Sequence, residues 1–339
     1  MPSRLLHVLA FTLLSSLLSL TVVADENIFK TKYSNETIIS DDADEEEAQQ
    51  EFKPKFNFLI TIGFSGLALN LIGVLCIFYH TYLQWKAQTS SMKMYYRLPF
   101  YIAITDLSII ITHFLNMIHP VIYRTPWPNP FCNLLGLTIE VTQCLNQFLF
   151  SIVAVSIYLK VSKNSKIDFG KYDWKLFTGM IVLTSLFSIP PLKSDGYGAQ
   201  QVWCGLKPGR QFVTLYFFLL ATVNLLVTTV CYVQILSKLK QSRCDLVSSR
   251  HQTKNVEDRV TKKIALHVLV FLLQWLPVNL YTITFFFGTS DFWIMVVAAI
   301  GINMGGIGNA LAYAYNIDLF QRHPDETGKQ KWGGLIVDN

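Results

Sequence analysis

Residues 57–80 read NFLITIGFSGLALNLIGVLCIFYH, 24 positions without an Asp, Glu, Lys or Arg. A hydrocarbon core about 30 Å thick is crossed by about 20 apolar residues in a helix. Within it only helices and closed barrels satisfy their backbone groups, so this run reads as a membrane-spanning helix. Six mostly apolar runs follow, at 98–118, 132–159, 175–192, 212–236, 262–287 and 291–315. The expected fold class is therefore an all-α membrane protein, a bundle of seven transmembrane helices. Composition agrees: 51% of the 339 residues are hydrophobic, 14% aromatic and 15% charged, against a charged share of about 25% in soluble domains. The bilayer is the solvent for one domain, and no soluble core is left over.

A shorter apolar start, residues 5–24, follows Arg4 and closes on Val22-Val23-Ala24 before Asp25-Glu26, which suits a cleaved signal peptide. An uncleaved eighth helix is the alternative. Lys and Arg collect in short cytoplasmic loops while acids count for little, and here they alternate. Lys86, Lys93 and Arg97 lie in the first candidate inner loop, and Lys160, Lys163, Lys166, Lys171 and Lys175 in the second. Eight more, from Lys238 to Lys263, lie in the third, whereas the outer loops hold only Arg124, Lys193, Lys207 and Arg210. The expected orientation is N-terminus outside, C-terminus inside.

Of six cysteines, Cys76, Cys144 and Cys231 fall within spans and Cys244 in an inner loop. Cys132 and Cys204 remain on the oxidising side, where disulfides persist, and are expected to pair. Two unpaired outer thiols are the alternative. The Asn-x-Thr acceptor Asn35-Glu36-Thr37 lies in the outer tail, a glycosylation site on this topology. Residues 25–56, with the acidic run 41–47, read as a disordered extracellular tail, solvated or attracting a basic ligand. Residues 57–316 form the transmembrane domain and 317–339 a short cytoplasmic helix and tail.

Acids at the centre of a membrane helix cost about 2.5–3.5 kcal/mol on insertion scales, so each is a functional candidate. Asp106 lies halfway along the second span and Glu140 early in the third, with Asn70, Asn146, Asn279, Asn303 and Asn309 deep in theirs. Glu140, Gln143 and Gln147 recur at spacings of three and four and share one helix face. That face is expected to line an outer cavity with Gln143, Asn279 and Asn303. Glu140 would be the counter-charge for a cationic group, or a protonated acid satisfied by a neighbouring helix. In the sixth span Pro277 bends the helix, and Trp275 sits at the bend.

Taken in order, these residues resemble the rhodopsin-like family of G-protein-coupled receptors over all seven spans. Asn70 in Ala68-Leu69-Asn70-Leu71 and Asp106 in Ala103-Ile104-Thr105-Asp106-Leu107 are similar to the family's first- and second-helix motifs. Cys132 and Cys204 match its disulfide. Tyr232 matches the inner end of the fifth helix, and Phe271, Trp275 and Pro277 the sixth-helix pattern with Gln274 for Cys. Asn309-Ala310-Leu311-Ala312-Tyr313 resembles Asn-Pro-x-x-Tyr with Ala for Pro, and Phe320 matches the short cytoplasmic helix that follows. The resemblance implies a plasma-membrane receptor that binds an extracellular ligand and signals through a heterotrimeric G protein. Asn70, Asp106, Asn146, Tyr232, Phe271, Trp275, Pro277, Asn309 and Tyr313 would form its switch.

The departures are as specific. Ser156-Ile157-Tyr158 replaces Asp-Arg-Tyr, so the acid matched by Glu257 lacks its usual arginine, with Lys160 as a substitute partner. Asn224 stands for the fifth-helix Pro, and Gly305-Gly306 replace polar residues near Asp106. Asn146 and Asn309 would then hydrogen-bond Asp106 in place of a sodium site. Asn303 stands where a retinal-binding Lys would be, and no His-x-x-x-His pair suits a metal hydrolase. No cofactor, metal, catalysis or nucleic-acid partner is expected. The alternative function is a non-coupling seven-helix scaffold or a small-solute transporter.

Overall fold

The computed structural model describes residues 42–87, 94–163, 169–170, 173–200, 203–207, 209–246, 251–287, 292–316, 331–332 and 335–336. Helices α1 (Asp42–Ala87), α2 (Met94–Tyr123), α3 (Phe131–Lys163) and α4 (Trp174–Lys193) come first. A hairpin of β1 (Tyr197–Gln200) and β2 (Trp203–Leu206) separates them from α5 (Gln211–Leu246), α6 (His251–Phe286), α7 (Phe292–Asn303) and α8 (Gly305–Asn316). Lys331–Trp332 pairs antiparallel with Leu335–Ile336 near the C-terminus.

The six helices α1 to α6 each contain a stretch long and apolar enough to cross a membrane, and α7 with α8 forms a seventh span bent by 40°. The bundle has the expected seven spans. Their apolar ends differ by a few residues, most at the first, which runs Pro54–Lys86. Within the stretch expected to be a tail, the backbone is helical from Asp42. Glu, Ala and Gln between residues 45 and 51 are good helix formers, and acids at a helix N-terminus oppose its dipole favourably. The leader, Asn35 and Phe320 lie outside the described residues, as do the side chains of Glu257 and Lys160.

Three apolar clusters hold the bundle. The central one joins α2, α3, α4, α6 and α7 through Ile109, Phe150, Met180, Phe271, Trp275 and Ile302. A second, with Leu67, Val74, Ala103 and Tyr313, seals α1 against α2 and α8. A third, with Ala154, Tyr232, Ile235 and Val268, joins α3, α5 and α6. Ile157, in the place of the arginine, packs against both the first and the third.

Glycines set the approach of the seventh span. Gly73 of α1 faces the backbone of Gly306, whose N–H donates to the Asn70 side-chain oxygen. Such contact is possible only between small residues. The span also breaks between α7 and α8, where Met304 N–H bonds Gly301 O at 3.0 Å. The glycine run thus supplies close packing and a broken helix together. Gly301 lies against Pro277 of α6, and a Cβ on it would sit 3.0 Å from Pro277 Cγ and 3.1 Å from Leu273 O. That carbonyl is the one deprived of its helical donor by Pro277.

Candidate functional site

The hairpin is pinned over one end of the bundle. Cys132 at the start of α3 is bonded to Cys204 of β2, as expected. The strands pair Gln200 with Trp203 and Ala199 with Cys204. Pairs alternate between hydrogen-bonded and non-hydrogen-bonded in an antiparallel ladder. With Gln200 and Trp203 closing the turn, the Cys204 N–H and C=O point away from β1. Asn116 of α2 meets both: its amide donates to Cys204 O at 3.0 Å, and its oxygen accepts from Cys204 N at 2.9 Å. A buried side chain thus acts as the missing strand. Gln200 also donates to the Tyr281 hydroxyl of α6 at 3.0 Å.

At the base of the hairpin, Lys207 donates to both Asp195 oxygens at 2.6 and 2.7 Å, and the hydrogen bond from Lys207 holds this carboxyl below the usual carboxylate range. Burial pushes the Tyr197 phenol well above its ordinary value, its ring packed on Leu206, Val213 and Phe217.

Beneath the hairpin lies a cavity of about 200 Å³. Glu140, Gln143, Asn279 and Asn303 all line it, with Gln200 and Trp203 from the hairpin and Trp275 from α6. On α3, the Gln143 amide approaches His113 Nε2 at 3.3 Å, and Gln147 accepts from Asn224 at 3.3 Å. Ser151, one turn further on, donates to Asn224 Oδ1. In place of the fifth-helix Pro, Asn224 therefore ties α5 to the polar face of α3. Glu140 makes no hydrogen bond or ion pair among the described residues. No Lys or Arg lines the cavity.

Asp106 is fully buried and accepts from Asn146 at 2.8 Å and from Asn309 at 2.9 Å. Asn146 also donates to Thr105 Oγ1 at 2.9 Å. The Gln274 amide is buried nearby. It fills the space left by Gly305, where a Cβ would lie 2.6 Å from Gln274 Nε2 and 2.9 Å from Asp106 Oδ1.

The family model for the 7 transmembrane receptor (rhodopsin family) matches residues 74–302, about two thirds of the chain. The chain belongs to the rhodopsin-like receptor family. No curated protein matches it.

The receptor keeps its switch candidates in three groups. Phe271 and Trp275 share the central cluster, Phe271 lying 5.2 Å from Phe150 between ring centroids. Asp106, Asn146 and Asn309 form the polar knot, with Asn70 on Gly306 beside it. Tyr232 and Tyr313 do not meet: Tyr232 is buried among Ala154, Val268 and Leu272, and the Tyr313 hydroxyl donates to Gln84 of α1 at 3.0 Å.

The receptor also has groups that the sequence did not single out. Arg97 of α2 forms a two-armed pair with Asp173, both contacts at 3.2 Å, and the Tyr101 hydroxyl donates to Asp173 at 2.8 Å. Asn116, Gln200 and Trp203 carried no pattern that linked a loop to a helix. Gln143 was expected to line the cavity, but its contact with His113 of α2 carried no sequence signal.

Proposed function

We propose that this receptor couples to a heterotrimeric G protein at the plasma membrane, with the disulfide end outside and the ligand in the cavity beneath the hairpin. The observation that carries the reading is the double placement of Trp275. It lines the cavity and is also packed in the central cluster with Phe150, Phe271 and Ile302. A ligand that touches Trp275 shifts the packing at the Pro277 bend. A shift in population follows only if the ligand binds one arrangement of α6 better than the other. Gln200 on Tyr281 gives the hairpin its own hold on α6.

In this reading the Asp106 knot holds α2, α3 and the seventh span in the resting arrangement, with Gln274 bringing α6 to the same place. Movement of α6 opens the inner end, where the basic loops meet the G protein. Tyr232 and Tyr313 come within reach of one another there only after that movement.

One observation favours the alternative of a non-coupling scaffold: Ile157 closes the inner end with an apolar contact and offers the partner no cation. G-protein dissociation measured across all α subunits, with surface expression scored in parallel, separates the two. Coupling predicts dissociation with at least one subunit in the basal or ligand-bound state. Full surface expression without dissociation in any state refutes it.

A further inference from the structure

The geometry points to a small organic cation, an ammonium or guanidinium on a largely apolar body, as the ligand of this cavity, paired to Glu140. The inference rests on the receptor reading for the role of the cavity, but its chemistry stands on the lining itself.

Glu140 is the one carboxylate among the lining residues, and neither Lys nor Arg is there to neutralise it. The neighbouring His113 is engaged with Gln143. An ionised acid inside a membrane bundle is costly unless paired, and a protonated one has to donate its hydrogen to an acceptor. Among the described residues Glu140 has neither a cation nor an acceptor. The missing partner is therefore expected from the cavity.

The amides extend the argument. Asn303 donates to Ala299 O at 2.7 Å, which fixes its orientation and leaves its oxygen buried without a partner. The oxygen of Asn279 is likewise unpartnered. Both side chains line the cavity. Among the described residues the Trp275 indole N–H, also of a lining residue, is buried without a partner as well. Ammonium and guanidinium groups bring only donors, which is what the unpaired Glu140 carboxyl lacks.

Aromatic residues form part of the remaining wall, beside aliphatic ones. Trp203, Phe148, Phe187, Phe217, Tyr281 and Phe285 surround the space, with Phe148 and Phe187 stacked at 5.0 Å. Such faces attract cations as well as apolar bodies. A cavity of about 200 Å³, small beside the 300–1,000 Å³ of common ligand pockets, suits a compact molecule.

The test uses the full-length protein purified in detergent and a panel of arylalkylamines and arylalkylguanidines, each with its neutral alcohol isostere and its carboxylate counterpart. Thermal-midpoint shifts and binding isotherms are read for wild type, Glu140→Gln and Glu140→Asp. At least one cation should bind tenfold or more tightly than its neutral isostere. Glu140→Gln should lose at least tenfold, and Glu140→Asp should retain part of that preference. Equal binding of neutral isosteres, preference for the carboxylates, or no cation binding at millimolar concentration overturns the inference. If Glu140→Gln does not fold, the wild-type comparison of cation with isostere still decides. G-protein dissociation is scored separately in cells. Glu140-dependent cation binding without coupling removes the receptor reading alone, and coupling driven by a neutral ligand removes the cation alone.

Discussion

Replacing Asn116 with Leu removes the side chain that completes the hairpin while keeping a similar volume. Asn116 and Cys204 are 6% and 2% exposed, so water has little access to the lost contacts while the hairpin is closed. Two hydrogen bonds disappear, and each buried backbone group left unpaired costs about 1–3 kcal/mol. With both Cys204 groups orphaned, the closed hairpin is destabilised by about 2–6 kcal/mol, which is roughly a 30- to 20,000-fold rise in the opening equilibrium. The disulfide keeps Cys204 tethered to α3, so the damage stays local. Opening energies differ between regions of one protein, and hydrogen exchange with peptide-level mass spectrometry reads them separately. Peptides covering 197–206 should exchange faster by that factor, and those covering 145–155 of α3 should not change. Exchange in 197–206 within threefold of wild type would mean that the disulfide and the β1 ladder hold the hairpin without Asn116.

Four further perturbations follow from the same geometry. Arg97→Ala leaves the Asp173 side chain, 3% exposed, without its cation and should lower stability in detergent by about 3 kcal/mol, the lower end for a broken buried pair because Arg97 is partly exposed. Adding Asp173→Asn should recover part of the loss, and a double variant no more stable than Arg97→Ala would refute the pairing. Gly305→Ala forces its Cβ against Gln274 and Asp106 and should cost about 1–3 kcal/mol. Gln274→Ala in the same chain should relieve this in thermal unfolding, and an equal loss with and without Gln274 counts against the contact. Asp106→Asn is expected to alter basal signalling more than surface expression, and loss of expression alone would make the knot purely structural. The Asp195 carboxyl is held below its usual range by Lys207, so its contribution is present at neutral pH and is lost as pH falls below about 4 and through the depressed value. Exchange at the Lys207 N–H, bonded to Gly196 O at 2.8 Å, should rise there after correction for intrinsic rates. Lys207→Ala should abolish that acid step.

The fold was legible because the bilayer imposes one rule on every span, length with low charge, and that rule survives in each run separately. The disulfide was legible for a related reason, since sidedness left two cysteines on one side. The position of Glu140 in a cavity followed from helical spacing, which a strand or loop does not provide. The hairpin was not legible: its strands are four residues each, too short for an alternation to stand out. Asn116 gave no warning either, because its partner is backbone and carries no sequence signature. Gln274 was read as a departure at its own position, whereas its contact depends on the side chain missing from Gly305, on another helix.

Ile157 has a thermodynamic consequence. An arginine at the inner end exchanges one set of polar contacts for another when a bundle opens, with little change in apolar hydration. Here opening has to wet a contact shared by two apolar clusters. Exposed apolar surface raises heat capacity by about 0.45 cal/K/mol per Å², so the equilibrium between closed and open forms acquires curvature in temperature. In the proposed switch, the opening of α6 therefore carries a positive heat-capacity change to which Ile157 adds its newly exposed apolar area.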